Sequence, residues 1–352
     1  MRNFFLPLFL LILFAGCKTD PSDSGKWSII YSGSLPEAVS NQAVSEGIVN
    51  GVPFLYSFGG IDSTKLYSGI HLRSYRINTK TGEAERIEDL PDTLGKIANA
   101  ASRINDTIYV IGGYHVFQDG TERSSDRVHR FDISQNRFVE DGAKVPVPID
   151  DQVQMVYKNR YIYLITGWSD KENVPSVQVY DALKNQWLEG TPVPDSNTFK
   201  SFGASGSIIG DTIYYLGGAS MGPNFPIQSA LRKGIINPVD PSEIEWTSRS
   251  LDPRFAGYRM GSFERKGKLF WIGGSNITDT YNAIASDGTG GVEPNHRILR
   301  FDGAIFIEDF NKNIPMDLRG IANIDDSLKY VIGGITKGQR TSQDIIKLEW
   351  KE

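Results

Sequence analysis

The chain has 352 residues, 22% of them charged, a formal net charge of −5 and a single cysteine. The negative balance argues against a nucleic-acid partner, which needs clustered basic residues to displace counterions. One cysteine excludes an intramolecular disulfide framework, so a core must hold the fold, and the chain is long enough to build one.

Met1 to Asn3, with Arg2 as the positive charge, lead into an apolar run of 11 residues from Phe4 to Phe14, and the small residues Ala15 and Gly16 precede Cys17. These are the regions of a signal peptide in order. The run falls well short of the roughly 20 residues a helix needs to span a bilayer. The Ala15-Gly16-Cys17 ending resembles a bacterial lipobox, although Phe14 stands where leucine is usual. That resemblance implies acylation of Cys17 and an exported bacterial lipoprotein on a membrane, outer membrane included, facing the periplasm or the surface. Residues 1–16 are then the signal, 17–26 a polar tether containing Pro21 and Gly25, and 27–352 the folded domain.

Within that domain a β-rich segment ending in a glycine pair recurs. It appears at Tyr56-Ser-Phe-Gly-Gly60, Tyr109-Val-Ile-Gly-Gly113, Tyr163-Leu-Ile-Thr-Gly167, Tyr214-Tyr-Leu-Gly-Gly218, Phe270-Trp-Ile-Gly-Gly274 and Tyr330-Val-Ile-Gly-Gly334. The second glycines are 53, 54, 51, 56 and 60 residues apart. Polar turns such as Asn50-Gly51 and Gly210-Asp211 precede the aromatic-aliphatic strand and read as hairpins. The glycines mark a place where the backbone turns and neighbouring strands crowd.

A third strand then carries Tyr75, Phe131, Tyr180 or Phe301, and a fourth Ile87, Phe138, Trp187, Trp246 or Phe306. These large residues are expected to wedge between units. After the sixth glycine pair only one further strand remains, roughly Asp344 to Trp350, while Lys26 to Ile30 at the other end offers the missing fourth strand with Trp27 in place. The repeat resembles kelch, whose period is about 50, over roughly Trp27 to Trp350. It implies an all-β, six-bladed kelch-type β-propeller whose ring is closed by an N-terminal strand completing the last blade, leaving no open edge. Thr166 and Gly234 depart from the pattern.

In such a ring, first strands begin and second strands end on one face. Counting back about nine residues from each hairpin turn reaches Asn41 and Gln42, Lys96, Asp150 and Asp151, Lys200, Tyr258 and Arg259, and Asp317 and Arg319. These polar residues are expected at the channel mouth, either as ion pairs bridging blades or as a pocket for an anionic or hydroxyl-rich ligand. The loops after the glycines vary most, Ser275 to Asn295 being the longest, and bring His115, Phe117, Trp168, Met221 and Phe225 to the same face. Long loops on a rigid scaffold usually carry recognition, and aromatic faces suit sugar rings.

No metal or cofactor is expected. The galactose oxidase propeller shares the kelch repeat, but its copper site needs a cysteine and two histidines, and the four histidines here lack metal-ligand spacing. The six-bladed kelch mutarotases acting on sialic acid are similar in blade number and length. Their glutamate after one glycine turn falls at Ala219, so the activity does not carry over residue by residue.

The expected function is a membrane-anchored recognition module for a carbohydrate or a protein partner on the loop face, binding through Lys96, Lys200, Tyr258, Arg259, Asp317, Arg319, Trp168 and His115. The alternative is a mutarotase or epimerase of an acidic sugar, with Asp150 or Asp151 as base.

Overall fold

Six antiparallel sheets of four or five strands stand around a central channel in the computed structural model, which describes residues 25–304 and 306–352. The expected signal and the expected lipidation site Cys17 lie outside the described residues. In blade one the inner strand Ala43–Val49 pairs with Val52–Asp62, then Ile70–Asn78, then Ala84–Ile87. The other inner strands are Ile97–Ile104, Val153–Tyr157, Phe202–Ile209, Gly261–Arg265 and Ala322–Asp325.

Blade six takes its outer strand from the start of the chain. Lys26–Ser34 pairs antiparallel with Asp344–Lys351, setting Trp27 opposite Trp350. Six of the buried clusters among the described residues are inter-blade cores. Tyr56 and Phe58 of blade one pack with Phe131 and Phe138 of blade two, Leu164 with Tyr180 and Ile111 between two and three, and Tyr163 with Tyr215 between three and four. Trp271 and Leu216 meet between four and five, Phe263 and Trp27 between five and six, and Tyr330 and Tyr75 between six and one. The third- and fourth-strand aromatics are therefore wedges, each serving the seam between neighbours. The substitution of Gly234 for an aromatic is accommodated by Trp246, whose ring occupies the space a Cβ would need.

The glycine pairs are explained by the approach of the next blade. A Cβ on Gly112 would lie 2.4 Å from the Ile149 carbonyl and one on Gly217 2.1 Å from that of Gly257. The freed space lets Gly113 N–H donate to Ile149 O at 3.0 Å and Gly218 N–H to Gly257 O at 2.8 Å. In blade three Thr166 replaces the first glycine and its Oγ1 accepts from Ser201 N–H at 3.0 Å, so a side chain makes the inter-blade link.

Trp27 is 8% exposed and meets Phe263, Phe270 and Trp350 edge-on at 5.2, 5.7 and 5.2 Å. Trp27→Ala is expected to cost about 3–5 kcal/mol, read as a lower urea midpoint. Tyr31→Ala on the same strand, where the side chain is exposed, should stay within about 0.5 kcal/mol. Equal effects from the two would show that the strand adds no packing to the last blade.

Candidate functional site

At the loop end of the channel each inner strand opens with a residue in left-handed backbone conformation: Asn41, Ala98, Asp151, Gly203, Arg259 and Asp317, with φ of 57, 55, 49, 66, 49 and 61°. Their backbones join the blades in a closed circle. Ala98 N–H donates to Asn41 O (3.1 Å), Asp151 N–H to Ala98 O (3.3 Å) and Gly203 N–H to Asp151 O (2.8 Å). Arg259 N–H continues to Gly203 O (2.8 Å), Leu318 N–H to Arg259 O (3.0 Å), and Asn41 N–H to Asp317 O (3.4 Å). Non-glycine residues with positive φ cost about 1–3 kcal/mol each, so the ring holds them where their neighbours over-determine the backbone.

Side chains from three ring positions converge. Arg259 places Nη2 at 2.8 Å from Asp151 Oδ2 and Nε at 3.1 Å from Asp151 Oδ1, a fork-on-carboxylate pair. Its Nη1 reaches Asp317 Oδ1 at 3.1 Å and Asp279 Oδ1 at 3.4 Å, Asp279 being supplied by the long loop over blade five. Arg319 Nη1 closes on Asp151 Oδ1 from the channel side at 2.9 Å. All five side chains are 3–4% exposed.

Two guanidinium groups thus serve three carboxyls, and the electrostatics follow that imbalance. Burial raises Asp151, but Arg259 and Arg319 outweigh it and keep it ionised. Asp279 is pushed up to about 8 by burial and by Asp317 and Asp151, against the pull of Arg259. Asp317 is raised by burial and by Asp151. Asp150 is raised well above the usual carboxylate range by burial and by Asp151, while Ser124 Oγ donates to its Oδ2 at 2.6 Å. The network therefore stores a proton on its carboxyls near neutral pH.

The structure brings Asp151, Arg259, Asp317 and Arg319 together in one network, and their charges neutralise one another. Asp150 faces Ser124 beside them, buried and with its carboxyl raised well above the usual range, so it does not open to the channel mouth as expected. Asp151 has both oxygens engaged by arginines.

Lys200 is a second correction. It pairs with the exposed Asp195 at 2.6 Å, and its blade enters the ring at Gly203, where the Tyr258 ring takes the side-chain space. Lys96 is also off the ring, because blade two enters at Ala98. It is buried among Asp92 Oδ2, His129 Nε2 and Ser125 Oγ at 2.7, 3.1 and 3.2 Å. His115 is buried too, with Nδ1 2.9 Å from Gly95 O. Sequence reasoning missed Asp279, which sits in a loop without period. It also missed the ring register: Ala98, Asp151, Gly203 and Arg259 each lie seven residues before a hairpin residue of positive φ, at Asn105, Lys158, Gly210 and Lys266.

Above blades three to five the loops build an aromatic cap. Phe202 is edge-on to Trp168, Phe225 and Tyr258 at 5.4, 5.6 and 5.7 Å, and Trp168 meets Phe225 at 5.8 Å. Trp168 and Phe225 are half-buried, whereas Tyr258 is covered and lies 4.9 Å beneath the Arg259 guanidinium.

The charge imbalance has a pH signature. Unfolded Asp279 ionises near 3.8, whereas the folded chain keeps its proton up to about 8, so its contribution is whole below pH 4 and is lost as pH rises through 8. Asp279→Asn should flatten this fall in urea titrations between pH 5 and 9. Arg259→Met, which strands buried carboxylates, should cost about 3–5 kcal/mol at pH 8 and less at pH 5. An unchanged slope in the first variant, or a pH-independent cost in the second, would refute the network's charge assignment.

Comparison with known proteins agrees with this geometry. The Kelch motif model matches residues 99–140. Kelch-like protein 15 of Gallus gallus is 28% identical over 115 residues, covering 33% of this chain and 22% of that protein. The Homo sapiens protein is 25% identical over the same length, 33% and 18% of the two chains. The chain thus spans about a fifth of the length of these curated relatives. The solved structure of YjhT superposes with a TM-score of 0.70 at 13% identity, over 91% of this chain and 99% of that one, a likeness of fold alone. The protein is a six-bladed β-propeller carrying a Kelch motif.

Proposed function

We propose that the protein is a recognition module, exported and held on a membrane through an acylated Cys17, that binds a carbohydrate through its loop face. The observation that carries this reading is the contrast between the two layers of that face. Beneath, Arg259 and Arg319 are spent on Asp151, Asp279 and Asp317. Above, the cap keeps part of Trp168 and Phe225 at the surface, beside the exposed Asp170, Asn197 and Asn224. The edge-on packing holds these rings in place, so little conformational entropy is lost when a sugar stacks on them. The neighbouring amides and carboxylate supply the directional contacts to hydroxyls.

The test is a glycan and monosaccharide binding screen on the full chain in detergent, followed by titration of any hit. Trp168→Ala should weaken binding by about tenfold or more, the loss of about one ring contact of 1.4 kcal/mol. Cys17→Ser should move the protein from the membrane to the aqueous fraction. Glycan binding indifferent to Trp168, or none at all, sinks the carbohydrate reading and turns the search to a protein partner for the same face.

A second reading, mutarotation or epimerisation of an acidic sugar, is supported by one juxtaposition: two carboxyls raised well above the usual range, Asp150 and Asp279, lie close to Asp151, which the arginines hold low, and to Arg259. Ring opening and closure need an acid and a base in reach of one substrate. Anomer exchange of acidic sugars followed by NMR decides it. Catalysis is expected to be lost in Asp150→Asn and Asp151→Asn, and exchange unchanged by both substitutions removes the enzyme.

A further inference from the structure

The described chain enters the propeller on the face opposite the loops, where the hairpins between first and second strands turn. Lys26 stands opposite Lys351 in the last blade, and the neighbouring Trp350 N–H donates to Ser327 O, in that blade's hairpin, at 2.9 Å. Ser34, at the other end of the same strand, lies opposite Asp344 at the loop end. The two most exposed large apolar side chains among the described residues sit on this hairpin face: Val239 is 91% exposed and Leu183 77%. They occupy the turns between third and fourth strands of blades four and three. In blades one and two the same turn is polar, Thr79-Lys80-Thr81 and Ser134-Gln135-Asn136. Both apolar turns are pinned to one hairpin, Lys158 to Arg160 of blade three. Ala182 N–H donates to Arg160 O at 3.0 Å, and Leu183 N–H to Asp181 Oδ1 at 3.1 Å, a carboxylate that Arg160 Nη2 holds at 2.6 Å. Val239 N–H donates to Asn237 Oδ1 at 2.9 Å, and Lys158 Nζ reaches Pro238 O at 3.4 Å. The backbone of each turn is thus satisfied within the protein, while its apolar tip is left in water.

We infer that the hairpin face docks on a lipid surface, with Leu183 and Val239 entering the headgroup layer and the exposed Lys158 and Lys184 level with the phosphates. The inference rests on the acylated Cys17 proposed above. Cys17 precedes Lys26 by nine residues, which reach at most about 32 Å when fully extended. The strand Lys26–Ser34 alone rises about 27 Å from the hairpin end to the loop end, and the loops stand beyond it. A molecule turned with its loops to the bilayer would stretch the tether to its limit, whereas the hairpin face meets the membrane with chain to spare. Blade six, which receives the tether, lies across the ring from blade three. Lipid anchor and apolar tips therefore hold opposite sides of one face and set it flat on the membrane, with the aromatic cap turned away from it.

The experiment uses the full chain, purified from bacterial membranes and reconstituted in vesicles of equal parts phosphatidylethanolamine and phosphatidylglycerol. Because Cys17 is the only cysteine, a single introduced cysteine carries a thiol-reactive, polarity-sensitive fluorophore once Cys17 is acylated. The variants are Leu183→Cys and Val239→Cys, with Leu66→Cys on the loop face, where the side chain is also exposed, as the control. The wild-type chain is expected to take no label. Emission at positions 183 and 239 should shift to the blue on reconstitution and be quenched by brominated acyl chains, and position 66 should behave as in water. Unlabelled wild type with a shift at neither tip, or at one alone, overturns the docking face and leaves the anchor standing. Quenching at position 66 as strong as at the tips shows a molecule without this orientation and overturns it too. Label on the wild-type chain shows a free thiol, which removes the acylated anchor and the inference with it.

Discussion

Everything at the centre of this molecule hangs on the circle of backbone hydrogen bonds through Asn41, Ala98, Asp151, Gly203, Arg259 and Asp317. A propeller can close only if each blade hands on to the next with the same geometry, and here the handover is a peptide N–H reaching the preceding blade's carbonyl. Individually such bonds contribute about 0.5–1.5 kcal/mol net, but as a closed set they fix where every inner strand starts. Left-handed backbone at five non-glycine positions is the strain that this handover imposes.

Once those starts are fixed, the side chains at three of them must meet over the channel. Asp151, Arg259 and Asp317 are far apart in sequence but are ring neighbours or near-neighbours, and Asp279 joins them from the loop above. A lone buried guanidinium would be costly, and so would a lone buried carboxylate. Together they tie blades three, five and six to the loop cover. The surplus carboxyls are tolerated by keeping a proton, so the central charge cluster couples stability to pH.

The same ring divides the channel into unlike ends. On the loop side the charges pair off and an aromatic cap covers them, leaving Trp168 and Phe225 half-buried at its surface. On the hairpin side the inner strands enclose a cavity of about 380 Å³. The propeller therefore offers two polar environments of different character, one sealed by ion pairs and one lined with serines.

The blade count was legible because a packing constraint recurs: each glycine pair marks where the next blade's carbonyl approaches too closely for a Cβ, as at Gly112 and Gly217. The wedge aromatics were legible for the same reason, since every seam needs the same large residues. Four ring positions, Asn41, Asp151, Arg259 and Asp317, were also within reach of a count along the strands. Ala98 and Gly203 were not, because a search for polar residues passes over them and settles on Lys96 and Lys200 nearby. Nor could the sequence announce Asp279, whose place depends on how an aperiodic loop folds back. Repetition is local and can be read along the chain; the pairing of charges is a contest among carboxyls from distant blades for two guanidinium groups, and only closure of the ring decides who meets whom.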